Sequence, residues 1–210
     1  MGTLRRNWLR FLTYIGALIP LGLLIWNFSQ DQLTLNPIKE IQLRTGSYAL
    51  VLLVLTLAAT PLSRLLKSGR ILELRRPLGL VTFMYVCLHF LNFLVLDYWF
   101  DFSLIREDLL EKPYALAGFF AFLLLLPLAL TSTRRWMVRL GRKWKRLHLL
   151  IFPAAALAIV HFFWGSKADV RESLVYGAIV IVLLALRLPV MKKLTSRFGR
   201  QPSEDGEPGF

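Results

Sequence analysis

Apolar residues gather along this chain in six long runs separated by short polar segments. Crossing a bilayer core of about 30 Å takes roughly 17 to 25 helical residues. Runs near 11 to 28, 47 to 66, 77 to 97, 114 to 133, 147 to 165 and 173 to 190 meet that length. The pattern predicts an all-α integral membrane protein of six transmembrane helices. A signal peptide would also open on a basic stretch like MGTLRRNWLR, but the first apolar run is long and no small-x-small cleavage site precedes NFSQDQ, so it is read as an uncleaved helix. No internal repeat is evident, and the loops are too short for a second domain. Residues 1–190 are expected to form one six-helix domain. Residues 191–210 are expected to be a cytoplasmic tail, basic at first and then disordered in QPSEDGEPGF.

Composition agrees with the pattern: 56% of the 210 residues are hydrophobic, above the ~45 to 50% of a soluble domain. A formal charge of +13 raises the possibility of a nucleic-acid partner. The basic residues lie in clusters between apolar runs, without a basic face carrying aromatic stacking groups, which argues against nucleic acid and for the positive-inside rule. Three Lys or Arg precede the first helix, five lie in 64 to 76, seven in 134 to 146 and five from Arg187 onward, against six in the alternate loops. Both termini are therefore expected in the cytoplasm, with nine of the thirteen acids on the opposite side. All six tryptophans fall at or near expected helix ends, where indole rings favour the headgroup region. The single cysteine, Cys87, excludes an intramolecular disulfide and a multi-cysteine metal site, and its mid-helix place fits a packing residue.

The chemistry concentrates in three histidines: His89 in VTFMYVCLHFLNF, and His148 and His161 in KWKRLHLLIFPAAALAIVHFFWG. A polar ring in an apolar medium needs partners, because an unpaired group there costs several kcal/mol. His89 lies 13 residues after Arg76 and His161 lies 15 after Arg146, the last basic residues before their helices, so two helices running the same way bring these imidazoles to nearly the same depth. That arrangement allows two imidazoles to hold one iron from opposite faces of a porphyrin, and bis-His coordination suits electron transfer. Two alternatives stand beside it. Each histidine could hydrogen-bond to a neighbouring helix and only glue the bundle. A proton relay would ordinarily include intramembrane carboxylates, and the expected helix interiors contain no Asp or Glu.

His148 lies 13 residues before His161, roughly 20 Å along the helix and about 140° around it, with Pro153 between them able to kink the segment. Its own depth on the third helix is occupied by Arg75, Arg76 and Pro77. The residues support one haem between His89 and His161, and a second at His148 whose sixth position is open or non-histidine. Arg75 and Arg76 suit haem propionates, a phosphate, or lipid headgroups.

NPIKEIQLRTGSYAL, TPLSRL, RRPLGL followed by CLHF, KPYALAG, LTSTRRWMVRLGRKWKRLHLL and VHFFW together cover much of residues 10 to 190. In these segments the chain closely resembles the MsrQ (YedZ) family, haem-binding membrane subunits within the ferric reductase and NADPH oxidase-like superfamily. The resemblance implies b-type haem held by His89, His148 and His161, the family's three histidines; oxidase relatives carry a fourth, absent here. It also implies a bacterial inner-membrane location. Electrons would come from the quinone pool or a cytosolic flavin reductase, and FMN is associated with the family. They would pass to a periplasmic molybdopterin subunit, MsrP, which reduces methionine sulfoxide in oxidised envelope proteins. The residues agree with a conduit: no GxGxxG segment or loop large enough for a nucleotide-binding fold is present, so donor and acceptor must dock from outside. The basic 134 to 146 loop could meet an acidic donor or lipid, and LDYWFDFSLIREDLLEKPY the acceptor. The rival readings are a haem protein that itself reduces ferric iron or oxygen at the periplasmic face, and a transporter without haem.

Overall fold

A computed structural model describes residues 2–166 and 170–187, and every regular element among them is helical. The long helices are α1 (Gly2–Ser29), α2 (Pro37–Leu65), α3 (Gly69–Leu91), α5 (Pro113–Leu130), α8 (Ile151–Gly165) and α9 (Val170–Ala185). A π-helical turn, Asn92–Asp97, extends α3, and the short α4 (Phe102–Glu111) leads into α5. Two short basic helices, α6 (Arg134–Leu140) and α7 (Arg142–Leu147), join α5 to a 3₁₀ turn, His148–Leu150, that enters α8. Gly141, at φ +50°, makes the break between α6 and α7 in a conformation that favours a residue without Cβ.

Five segments are long and apolar enough to cross a membrane: Trp8–Ser29, Pro37–Leu65, Gly69–Asp97, Pro113–Leu130 and Arg142–Gly165. Each overlaps one of the first five expected runs, the second and third starting ten and eight residues earlier. Helix α9 occupies the sixth, and the remainder of that run, from 188, lies outside the described residues, as does the 191–210 tail.

Helix α2 differs most from expectation, beginning ten residues before position 47. The Asn36 side chain accepts the Lys39 N–H, Pro37 sits in the first turn where it sacrifices no bond, and Glu40 pairs with Arg44 one turn on. These polar residues exclude the first turns from an apolar run while starting a good helix. The longer helices also take in Glu40, in the first turn of α2, Glu73, one turn into α3, and Asp97, at the close of the π-helical turn.

Two cores hold the bundle. Leu53 and Leu57 of α2, Leu125 and Leu128 of α5, Ala154 and Ala155 of α8 and Val180 of α9 form one. Ala49 and Leu52 of α2 meet Val81 and Tyr85 of α3 in the other, against Ala17 and Leu21 of α1. Tyr85 is wholly buried and donates its hydroxyl to the Ala17 carbonyl at 2.7 Å, which ties the otherwise exposed α1 to α3. Proline at position 61 leaves the Leu57 carbonyl, four residues back, without its helical donor. Arg187, just beyond α9, supplies one: its guanidinium reaches that carbonyl at 2.7 Å and Thr56 O at 3.3 Å. One nitrogen of a buried cation is thereby bound by a carbonyl that the proline released.

Candidate functional site: two imidazoles clasped by helix backbones

His89 stands in the last turn of α3 and His161 near the end of α8, and their rings meet with centroids 5.9 Å apart and planes at 82°. Each ring is held by a helix other than its own. His89 Nδ1 donates to the carbonyl of Gln42 on α2 at 2.9 Å, and His161 Nδ1 donates to that of Tyr114 on α5 at 2.7 Å. A carbonyl can only accept, so each Nδ1 carries the proton and each Nε2 keeps its lone pair. That is the tautomer in which an imidazole ligates a metal while its second nitrogen is oriented by a backbone group. The Gln42 side-chain amide lies 3.3 Å from His89 Nε2, as a donor to that lone pair would, and Asn92 Nδ2 in turn donates to Gln42 Oε1 at 2.6 Å.

Each carbonyl is approached over a glycine one turn further on. A Cβ at Gly46 would stand 3.0 Å from His89 Cε1, and one at Gly118 would stand 2.7 Å from His161 Nδ1. Only a bare backbone lets the rings lie this close. The two seats share one plan: a helix begun at proline (Pro37 or Pro113), an accepting carbonyl (Gln42 or Tyr114), and glycine four residues beyond it.

Both histidines and both glycines line one cavity of about 680 Å³, within the range of cofactor sites. Its walls are apolar, with Phe90 and Phe122 stacked at 4.5 Å. Its charged lining residues, Lys39, Asp97, Asp108 and Lys112, all lie at element ends, with Asn36 and Tyr98 beside them in sequence, while Ser47 and Thr82 add polar groups within α2 and α3. The Asp108 carboxylate pairs with Lys112 and holds its ammonium above its ordinary range. Burial and the bond to Asp108 push the Tyr98 phenol up to about 12, so it remains a donor.

The donor set decides what such a site can hold. Among the described residues no group of three or more His, Cys, Asp or Glu could bind a metal ion, so a bare ion would find two imidazoles and no third ligand of these types. A macrocycle that brings its own four nitrogens needs only an axial pair. His89 and His161, with ring centroids 5.9 Å apart in the cavity, would be the two protein ligands of such a group.

His148 is placed elsewhere. It opens the 3₁₀ turn, within which Leu149 lies four residues before Pro153, whose ring and missing N–H disfavour an α-helical bond to the Leu149 carbonyl. Its Nδ1 donates to its own helix, to Trp144 O at 3.2 Å, and its ring stacks on the Trp144 indole at 3.9 Å. Trp144 is fixed by donating to Thr131 O at 2.9 Å. Arg75 lies within electrostatic reach of His148, and Arg64 and Arg75 within reach of Arg187; Arg76 is exposed. Of the five residues singled out in the sequence, His89 and His161 thus line the cavity, and His148, Arg75 and Arg76 do not.

Gln42, Tyr114, Gly46, Gly118 and the lysines of the lining had no part in the expected site. The available signal was a glycine in each of two helices at the depth of a histidine, one turn after a residue whose carbonyl it uncovers.

Comparison with known proteins adds a separate line. Residues 45–159 match the ferric reductase like transmembrane component family. A protein-methionine-sulfoxide reductase heme-binding subunit MsrQ from Xanthomonas axonopodis pv. citri (strain 306) is 46% identical over 192 residues, covering 89% of this chain and 87% of that protein. Proteins of the same name from Xanthomonas campestris pv. campestris (strain B100) and Herminiimonas arsenicoxydans are 44% and 43% identical, over 88% and 86% of this chain and 86% and 84% of theirs. With its helices, its apolar spans and the extent of these matches, the chain belongs to the MsrQ family of ferric reductase-like transmembrane proteins.

Proposed function

We propose that the chain is a b-type cytochrome of the bacterial inner membrane that conducts electrons to a periplasmic protein-methionine-sulfoxide reductase. The observation that supports this most is the pair of imidazoles 5.9 Å apart, each with Nδ1 bound to a carbonyl and Nε2 left with its lone pair. His89 and His161 would hold the haem, which when bound would supply a reversible one-electron carrier. The protein's own part is to orient: the Gln42 and Tyr114 carbonyls fix both tautomers, the glycines set the ring positions, and the aromatic walls offer an apolar surface to a flat ligand.

In this reading six helices span the membrane with both termini in the cytoplasm, following the distribution of Lys and Arg. The charged lining then faces the periplasm, where the acceptor, a molybdopterin subunit of the MsrP kind, would dock. Quinol or a cytosolic flavin reductase would be the donor. His148, with Arg75 beside it, would form a second haem site toward the cytoplasm, and the arginines there suit propionates or the phosphate of FMN.

The test is optical and genetic. Detergent-purified protein should show a Soret band and a sharp reduced α band of low-spin haem. His89→Ala and His161→Ala should each abolish that spectrum, and either variant retaining it in full would sink the pairing. Coexpression with the periplasmic partner should restore sulfoxide reduction in cells lacking both proteins; reduction without any partner would favour a self-sufficient reductase.

A further inference from the structure

The proposed cytochrome reading leaves open how the cavity recognises its ligand beyond the axial bonds, and the charged lining bears on this. It offers two cations, and they are not equivalent. Lys112 is matched: it pairs with Asp108, which also engages Tyr98, and Asp97 stands near both. Lys39 has no carboxylate partner among the described residues. The adjacent acid, Glu40, is committed to Arg44 and accepts the Thr34 N–H at 2.6 Å. Lys39 also belongs to the first turn of α2, whose N-terminal dipole favours an anion, and it precedes Gly46 by seven residues, about 10 Å along the helix axis. An exposed cation without a carboxylate partner on the lining of a largely apolar cavity suits a flat apolar ligand with carboxylates on one edge.

We infer that Lys39 binds a carboxylate of the ligand clasped between His89 and His161, and so sets which edge of that ligand faces the first turn of α2. This rests on the haem reading and names a residue for its propionate edge. Lys112, already neutralised, plays the lesser part.

The test separates carboxylate recognition from haem binding as such. Haem-free protein in detergent is titrated with haem and with haem dimethyl ester, which lacks the carboxylate charges, following the low-spin Soret band. Wild type should prefer haem by about three- to tenfold, the scale of a partly exposed charge-assisted contact. Lys39→Gln should remove that preference while binding the ester as wild type does, so the ester titration also reports that the variant is folded. Lys39→Arg should retain the preference. Equal affinity of wild type for haem and ester, or an undiminished preference in Lys39→Gln, would overturn the inference. Failure of wild type to give a low-spin spectrum with either compound would instead overturn the haem reading beneath it.

Discussion

The histidines at the two ends of the bundle obey the same local rule and live in different structures. At all three, Nδ1 donates to a backbone carbonyl. For His89 and His161 that carbonyl belongs to a different helix, 47 residues away in sequence in both cases, whereas for His148 it belongs to the same helix, four residues back. The first pair is therefore positioned by tertiary structure, and any shift of α2 against α3 or of α5 against α8 moves a ring. His148 is positioned by its own turn and by the Trp144 indole beneath it, an arrangement that persists if the neighbouring helices move. A hydrogen-bonded imidazole alone does not distinguish a structural histidine from a metal ligand. The origin of the carbonyl, and what was removed to let the ring reach it, does.

The sharpest way to break this comparison is to delete the rings. His89→Ala or His161→Ala should eliminate the low-spin spectrum, while His148→Ala should leave the His89–His161 signature in place; low-temperature electron paramagnetic resonance of the three purified variants would read this directly. Next in size is filling the cradles. Gly118→Ala places a methyl group against three atoms of His161, the nearest at 2.7 Å, and Gly46→Ala against His89 at 3.0 Å. Overpacking of this kind costs about 1–3 kcal/mol, so Gly118→Ala should lower the thermal midpoint and haem content more than Gly46→Ala. Gly16→Ala, with nothing within 4 Å, should change neither appreciably. A smaller effect is expected from Gln42→Leu, which leaves the carbonyl seat intact but removes the side-chain acceptor of Asn92. The cost should be about 1 kcal/mol, read as a modest fall in midpoint with the spectrum preserved. Smallest is Trp144→Phe, which keeps an aromatic ring under His148 but removes the donor to Thr131 O. It should cost about 0.5–1 kcal/mol and leave the His89–His161 spectrum unaltered, and a change in that spectrum would show that the two ends are coupled.

Much of the fold was legible because membrane spans announce themselves by length and hydropathy. The matched depth of His89 and His161 could be counted from the last basic residue before each helix, since helical rise is constant. The backbone half of the site was not legible. A carbonyl acceptor has no residue signature, and Gln42 lay before the expected start of its helix, in turns whose Lys39, Glu40 and Arg44 look like loop to a hydropathy window. Gly46 and Gly118 could have been read as ordinary small residues of membrane helices; that each removes a Cβ from the path of a histidine appears only when four helices are brought together. The π-helical turn after α3, which carries Asn92 into contact with Gln42, likewise has no pattern of its own.

The two glycine seats also act as a vernier between helices. Sliding α5 by one residue against α8 would bring Ala117 or Phe119 to the place of Gly118, and sliding α2 would bring Thr45 or Ser47 to the place of Gly46. Every such offset sets a side chain against a ring that fits only over bare backbone. Axial alignment across the bundle is thus fixed to a single notch on each side, by atoms that are missing from the chain.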